Sequence, residues 1–589
     1  MTGFTSIASY SPWLVLLAGG FTIAGIVGVG DEIGRALRLS QPWRSVIGSI
    51  AAIELLTLTV EAVAMAHFAS RPVLIGIWVV FSVLGSLLFI WRTSLPKSMS
   101  IGGIGGLGAA AILVVNLTIA LCPSTKGDEI YYHMIVPSRI VQDGGLQFYR
   151  QPLRSAIYPQ MAFQIGQAPF HALGVPDAGN LVSWFFGALL VWFTYRIVLA
   201  YTGSRRWAGI FAAAIVAGLY TSVWHVASGA HAIGDVAVTA AVVALYTIDD
   251  FVARIGRPRA AISIGILAAA AASTKVLLFP LVAAVVLVAL VRLGPKSAPL
   301  LLLPSILFMV PLMVWTAVHA GSPLGPLMEG IAGRSPYLPN EVRGFVDDYV
   351  AGLRGPIGEK LRNEALNYSP IIALAIAAFV LAGRRVRAQP AMGIALLLVQ
   401  LVVILGWNTY DVRYFGGVHY ALMIVFAIFL AAELRDRALA DRRFMVAAAL
   451  LVVPWMLLQL VYATQFLKLI AGVQSKSDFY TGHVPFFRDF VLLDDILPRD
   501  AVLLAFPYGL DSIYAPRPIY YHPLDMPPRR NAYLLTYQHG GGSDPLPELP
   551  ANLSLAEMVY ENHDAIVSAY RVPGRPPLHG LVRVYRLKN

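Results

Sequence analysis

Charge is what this sequence has least of. Asp, Glu, Lys and Arg make up 13% of the 589 residues, against 57% hydrophobic ones, where a soluble domain carries roughly 25% charged residues. That leaves too little polar surface to cover a globule in water, and a soluble globular protein is excluded. Cysteine is equally scarce: Cys122 is the sole one, which rules out an intramolecular disulfide and a thiolate metal cluster and leaves the redox compartment undecided. No basic residue precedes the first apolar run, and residues 31–44 after it read as a loop, so we expect no cleavable leader and a first span that is retained. The net charge of +11 does not point to nucleic acid. Its Lys and Arg fall in short loops between apolar runs, where they set topology and meet anionic lipid headgroups.

Long apolar runs are abundant. About fourteen are long enough to cross roughly 30 Å of hydrocarbon, near 12–30, 45–67, 72–91, 101–121, 178–200, 207–226, 232–252, 260–274, 276–291, 299–319, 369–383, 390–407, 414–432 and 444–466. The pair meeting at 274–276 reads equally as one long helix broken at Thr274-Lys275. If Arg35, Arg38 and Arg44 are cytoplasmic, every second loop after them should carry base. Each does, from Arg92 and Lys97 through Arg254, Arg257 and Arg259 to Arg435, Arg437, Arg442 and Arg443. This alternation puts the amino terminus outside.

The organisation expected is then an all-α polytopic membrane protein with four parts. Residues 1–122 form the first spans, 123–177 a long external loop, 178–467 a transmembrane core with a second external loop at 320–368, and 468–589 an extracytoplasmic soluble α/β domain. Within the last part, AVLLAF (501–506) and LVRVYRL (581–587) read as strands and SLAEMVYEN (554–562) as a helix. HGGGSDPLPELP (539–550) has no strand–turn–helix context to make it a phosphate cradle and reads as a loop.

Polar groups collect at one boundary, the outer one by the arginine alternation: Asp128, Glu129, Tyr132 and His133 in GDEIYYH (127–133), then His225, His231 and Asp235, Lys275, and Asp411 with Arg413. On a bland reading GDEIYYH starts an interfacial helix, its acids opposing the positive end of the dipole. The same placement keeps a carboxylate ionised, as a general base requires. Lys275 and Arg413 read either as interfacial anchors or as cations held for an anionic lipid-linked group, Arg gripping phosphate oxygens bidentately and Lys acting as a point charge. His225, His231 and Asp235 read as a satisfied polar turn, or as two imidazoles and a carboxylate suited to a divalent metal ion, although their spacing matches no metal signature.

Taken in order over about residues 123–435, these features resemble the membrane-embedded GT-C glycosyltransferases, especially the branch of protein O-mannosyltransferases and lipid A aminoarabinose transferases. The resemblance rests on the Asp128-Glu129 pair opening the first large external loop, a GxLxF-like turn (Gly145-Leu146-Gln147-Phe148), YPQM (158–161), GAHAIGD (229–235), STK (273–275) and Arg413-Tyr414. Relatives usually carry that loop after the first span, whereas here about three more spans precede it, and YPQM lacks their second proline. The resemblance implies an inverting transferase in a bacterial inner membrane that moves a sugar from a polyprenyl-phosphate donor to a lipid, glycan or protein acceptor at the outer face. Asp128 would be the base, Glu129 would orient it or the acceptor, and Arg413 and Lys275 would hold the donor phosphate. Tyr132, His133 and Tyr158 would face substrate.

A transporter or lipid flippase is the rival from another class. It predicts paired inverted repeats and ionisable residues near mid-membrane, and the sequence pattern gives neither. A catalytically inactive scaffold binding partners through its external domain would need only the fold.

Overall fold

The computed structural model describes residues 10–92, 103–126, 129–150, 161–227, 229–325, 416–434, 438–506, 512–527, 531–539, 554–568 and 577–588, with isolated positions between 336 and 377. The helices are α1 (Pro12–Ala36), α2 (Trp43–Met65), α3 (Arg71–Arg92), α4 (Ile104–Ala120), α5 (Ile135–Asp143), α6 (Ala162–Ile165), α7 (Ala168–Leu173), α8 (Ala178–Thr202), α9 (Arg205–Ala217) and α10 (Leu219–Trp224). They continue as α11 (His231–Tyr246), α12 (Ile248–Ile255), α13 (Arg257–Thr274), α14 (Phe279–Leu293), α15 (Ala298–Ala320), α16 (Gly416–Leu434), α17 (Ala438–Ile470), α18 (Lys476–His483) and α19 (Phe487–Ile496).

Among the described residues six helices are long and apolar enough to cross a membrane, or seven if α11 and α12, bent by 91°, count as one span. Three shorter apolar helices accompany them, α4, α14 and the first part of α16. The expected runs at 369–383 and 390–407 lie largely or wholly outside the described residues. Two expected spans, 207–226 and 232–252, are interrupted, the second by the bend between α11 and α12, and a further break falls at the expected boundary near 274–276. Gly218, with extended backbone, separates α9 from α10, and Lys275, at φ −156° and ψ 133°, ends α13 before α14. The ambiguity at 274–276 thus resolves as two helices.

The spans differ in burial as a bundle requires. The apolar window of α8 is 78% buried and that of α3 only 17%, so α8 lies inside while α3 offers Val80, Leu84 and Ile90 outward. Without a hydrophobic drive between helices in lipid, close packing depends on small residues. Gly30 of α1 meets Gly48 of α2 so closely that a Cβ on Gly30 would sit 2.6 Å from the Gly48 carbonyl carbon. At the same end Asp31 pairs with Arg35 and, at 3.7 Å, with Arg44.

The carboxy-terminal part is a five-stranded mixed sheet in the order β2-β1-β3-β5-β4. Its strands are β1 (Val502–Phe506), β2 (Ile519–Tyr520), β3 (Ala532–His539), β4 (Leu555–Ser568) and β5 (Leu578–Leu587); β1 runs parallel to β2 and β3, and β5 antiparallel to β3 and β4. The expected strands at 501–506 and 581–587 are present. The expected helix at 554–562 is not: this segment is in β4, where Tyr560 faces Val584 and Glu561 faces Arg583 across the ladder, Arg583 Nε donating to Glu561 Oε1 at 2.7 Å. Pairing along β5 outweighs a local preference worth a few tenths of a kcal/mol per residue.

The sheet and α18–α19 enclose Tyr480, Phe487, Phe490, Leu503, Val582 and Val584, and this core also takes in Ile130, Met134 and Ile135 from the first long loop. Arg139 of α5, stacked on Tyr149 with its carbon centre 4.0 Å from the ring centroid, donates to the Ile519 carbonyl at 2.6 Å. The segment that follows the acidic pair is therefore packed into the carboxy-terminal core.

Candidate functional site

The chain entering the acidic pair is held from two sides. Ser124 N–H donates to Asp177 Oδ1 at 2.8 Å, Asn180 Nδ2 donates to Ser124 Oγ at 2.9 Å, and the Tyr514 hydroxyl donates to the Ser124 carbonyl at 2.5 Å. Asp177 stands at the start of α8 and Tyr514 in the carboxy-terminal part, so the loop is clamped between bundle and sheet. Burial pushes the Asp177 carboxyl up to about 6; the Ser124 hydrogen bonds pull it down and nearby Glu129 raises it.

Glu129, 3% exposed, opens a π-helical turn over Glu129–His133 in which Met134 N–H reaches back to the Glu129 carbonyl at 2.8 Å. The expected helical start is thus a wider turn followed by α5, and π-turns of this kind are frequent at functional sites. The turn carries His133 inward. His133 Nδ1 is 3.2 Å from Gln164 Nε2, so that nitrogen accepts from the amide, and its ring lies 6.2 Å from the His231 ring, nearly perpendicular. His231 packs edge-on to Trp224 at 4.9 Å, and the Lys126 ammonium sits over the Trp224 ring. Gly229 fits between the imidazoles: a Cβ there would fall 3.2 Å from His133 Nε2 and 3.1 Å from His231 Cδ2.

His225 and Asp235 form a second node. His225 Nε2 donates to Asp235 Oδ2 at 2.8 Å, Gly417 N–H donates to Asp235 Oδ1 at 2.8 Å, and the Tyr220 hydroxyl donates to the same carboxylate. Gly417 is in the first turn of α16, so Asp235 anchors that helix start four residues beyond Arg413. A Cβ on Gly416 would lie 2.6 Å from Asp235 Oδ2, which requires glycine at this approach. Lys275 is 5% exposed, so it is buried and does not snorkel outward. Its neighbour Thr274 packs on Gly234, where a Cβ would come within 2.5 Å of the hydroxyl.

The structure therefore brings GAHAIGD against STK, against the His133 turn and against the start of α16. It does not converge the expected metal trio: His225 joins Asp235 while His231 turns to His133 and Trp224. No group of three or more His, Cys, Asp or Glu among the described residues could hold a metal ion. Asp128, Tyr158, Asp411 and Arg413 lie outside the described residues, as does the side chain of Tyr132. In the GxLxF-like turn, Leu146 N–H bonds the Ala64 carbonyl at 2.8 Å and ties the loop to the end of α2.

Sequence reasoning missed Lys126, Asp177, Asn180, Gln164, Trp224 and Tyr220. Asp177 had a signal, an acid immediately before an apolar run; the others become visible only through contacts distant in sequence. It also took the polar groups to sit at one boundary only. The structure corrects this, because Glu54 is buried in the middle of α2 and Glu61 is buried about one turn before its end. Long flanking apolar residues kept the run above the hydropathy threshold and hid them.

No family model matches the chain, and no curated protein matches it.

Proposed function

We propose that the chain is an inverting glycosyltransferase of GT-C type, with about fourteen spans, that moves a sugar from a polyprenyl-phosphate donor to an acceptor at the outer membrane face. The observation that carries the reading is the meeting of segments far apart in sequence: His133 beside His231, Gly234 against Thr274, and Asp235 bonded to Gly417. These are the segments of the ordered resemblance. Their assembly around one buried polar zone is what a shared substrate pocket needs.

In the reaction the acceptor hydroxyl oxygen attacks the anomeric carbon, Asp128 takes the hydroxyl proton, and the bond from the anomeric carbon to the phosphate oxygen breaks with its electron pair leaving on polyprenyl phosphate. Arg413 and Lys275 stabilise that phosphate, Glu129 orients the base, and one displacement inverts the centre. Asp177 and Asn180 hold the approach to Asp128, and Asp235 holds the helix that follows Arg413. The carboxy-terminal sheet, packed on the loop after the acids, lies on the same outer side.

The transporter reading keeps one specific support, the carboxyl groups of Glu54 and Glu61 inside a span. Mass spectrometry of lipid-linked sugars and surface glycans in a deletion strain separates the two. Transfer predicts accumulation of a polyprenyl-phosphate sugar and loss of a sugar from one glycan or lipid class; an unchanged profile of both contradicts it.

A further inference from the structure

Glu54 and Glu61 take no part in the site described above. They lie on α2 with Thr57 between them, at spacings of three and four residues that put all three side chains on one helix face. Glu54 is 6% exposed, and Thr57 and Glu61 are fully buried. Glu54 Oε1, both Glu61 carboxyl oxygens and the Thr57 hydroxyl have no hydrogen-bond partner among the described residues.

Thr57 is the independent sign that something polar belongs here. A buried helical threonine ordinarily returns its hydroxyl to the carbonyl one turn back, as Thr316 does to Leu312 at 2.8 Å and Thr22 to Ala18 at 2.9 Å. Thr57 makes no such bond. It packs instead against Gly166, where a Cβ would fall 2.5 Å from its hydroxyl.

Charged groups on the elements packed against α2, which are α1, α3, α6, α8, α11, α13 and α15, are engaged elsewhere or stand at helix ends. Asp31 is held by Arg35 and Arg44, Glu32 by Arg35 and Arg92, Arg71 by the Ala172 carbonyl and Asp235 by His225. Arg257 and Arg259 open α13, Arg196 is half-buried and engaged near the far end of α8, His231 packs on His133 and Trp224, and His319 bonds the Trp315 carbonyl at the far end of α15. An ionised carboxylate inside a span with no counter-charge costs several kcal/mol. Two on one face repel as well.

We propose that Glu54, Thr57 and Glu61 form a cation site inside the membrane domain, occupied by protons or by an alkali ion and built from oxygen ligands alone. Oxygen donors suit a hard cation, and a protonated carboxyl supplies an O–H that a hydroxyl oxygen accepts. The site rests on α2 and its neighbours, and it stands whether or not the chain transfers sugars.

Infrared spectra of the purified full-length protein in lipid nanodiscs test it, comparing wild type with Glu54→Gln/Glu61→Gln in choline buffer at about pH 6. Wild type is expected to show a carbonyl band of protonated carboxyl groups that the double variant lacks, each single Gln variant losing about half of it. A band that persists on adding sodium identifies the proton as occupant, and one that sodium abolishes identifies an alkali ion. Because Gln copies the neutral acid in shape, the variants should also keep wild-type thermal stability. No difference in the carboxyl band between wild type and the double variant would overturn the proposal, as would a marked loss of stability in both single variants, which would reveal ionised carboxylates paired with a basic group.

Discussion

Replacing Asp235 with alanine should destabilise the bundle and weaken donor binding together. The carboxylate is 6% exposed and takes three donors, from His225, Gly417 and Tyr220. Its removal strands all three in a place that water does not reach. Each stranded donor costs about 1–3 kcal/mol, and donors that share one acceptor do not add fully, so we expect about 3–5 kcal/mol in total, comparable with breaking a buried ion pair. Asp235→Asn keeps an oxygen for the Gly417 N–H but sets an amide N–H2 against the donor of His225, so it loses both the charge assistance and that acceptor, about 1.5–3 kcal/mol. Gly416→Ala should act on the same node by driving a Cβ into the carboxylate. Unfolding in mixed micelles gives the stability ranking, and binding of a polyprenyl-phosphate analogue reports whether the start of α16 moved. An Asp235→Ala variant within about 0.5 kcal/mol of wild type, the ordinary range for an exposed substitution, would refute the reasoning.

Three other outcomes are expected. The Asp177 carboxyl titrates near 6 in the folded protein and near 3.9 when unfolded. Its raised value favours the fold below the unfolded pKa, and that contribution, up to about 3 kcal/mol, is lost as pH rises through the folded one; Asp177→Asn should remove this part of the stability–pH slope, and an unchanged slope would clear Asp177 of the role. If Arg413 grips phosphate bidentately, Arg413→Lys should weaken binding of the donor analogue by about ten- to a hundredfold, with Lys275→Met similar and both variants normal in thermal stability; unchanged affinity in both would put the phosphate elsewhere. For sidedness, cysteines at Ser335 and Ser543 in a Cys122→Ser background should react with an impermeant thiol reagent in intact cells, and one at Ala440, exposed on α17, should not; labelling at Ala440 would reverse the topology.

Much of the membrane architecture was legible because the bilayer imposes one strong rule, a long apolar helix, and α1, α2, α3, α8, α15 and α17 obey it. Where the rule relaxes, legibility fails. Gly218 and Lys275 interrupt helices inside the bundle, where neighbouring helices can satisfy the freed backbone groups, and an apolar run gives no hint of that. The β4 segment failed for a different reason: SLAEMVYEN is helical by composition and extended by partnership with β5. At the candidate site, sequence order found the segments, including GAHAIGD and STK, and the fold supplied the pairings. Residue types revealed neither the left-handed turn at Ala230, φ 60°, nor that His225 rather than His231 meets Asp235. Glu54 and Glu61 were overlooked because hydropathy averages a buried carboxyl away.

The most direct test of glycosyl transfer is turnover by the purified protein in liposomes carrying a radiolabelled pool of polyprenyl-phosphate sugars and membrane-derived acceptors, wild type against Asp128→Asn. The account predicts that wild type converts donor to free polyprenyl phosphate with label appearing on acceptor in the inverted anomeric configuration, and that Asp128→Asn, equally folded, does neither. Near-normal turnover by Asp128→Asn, or label retained in its original configuration, would contradict it.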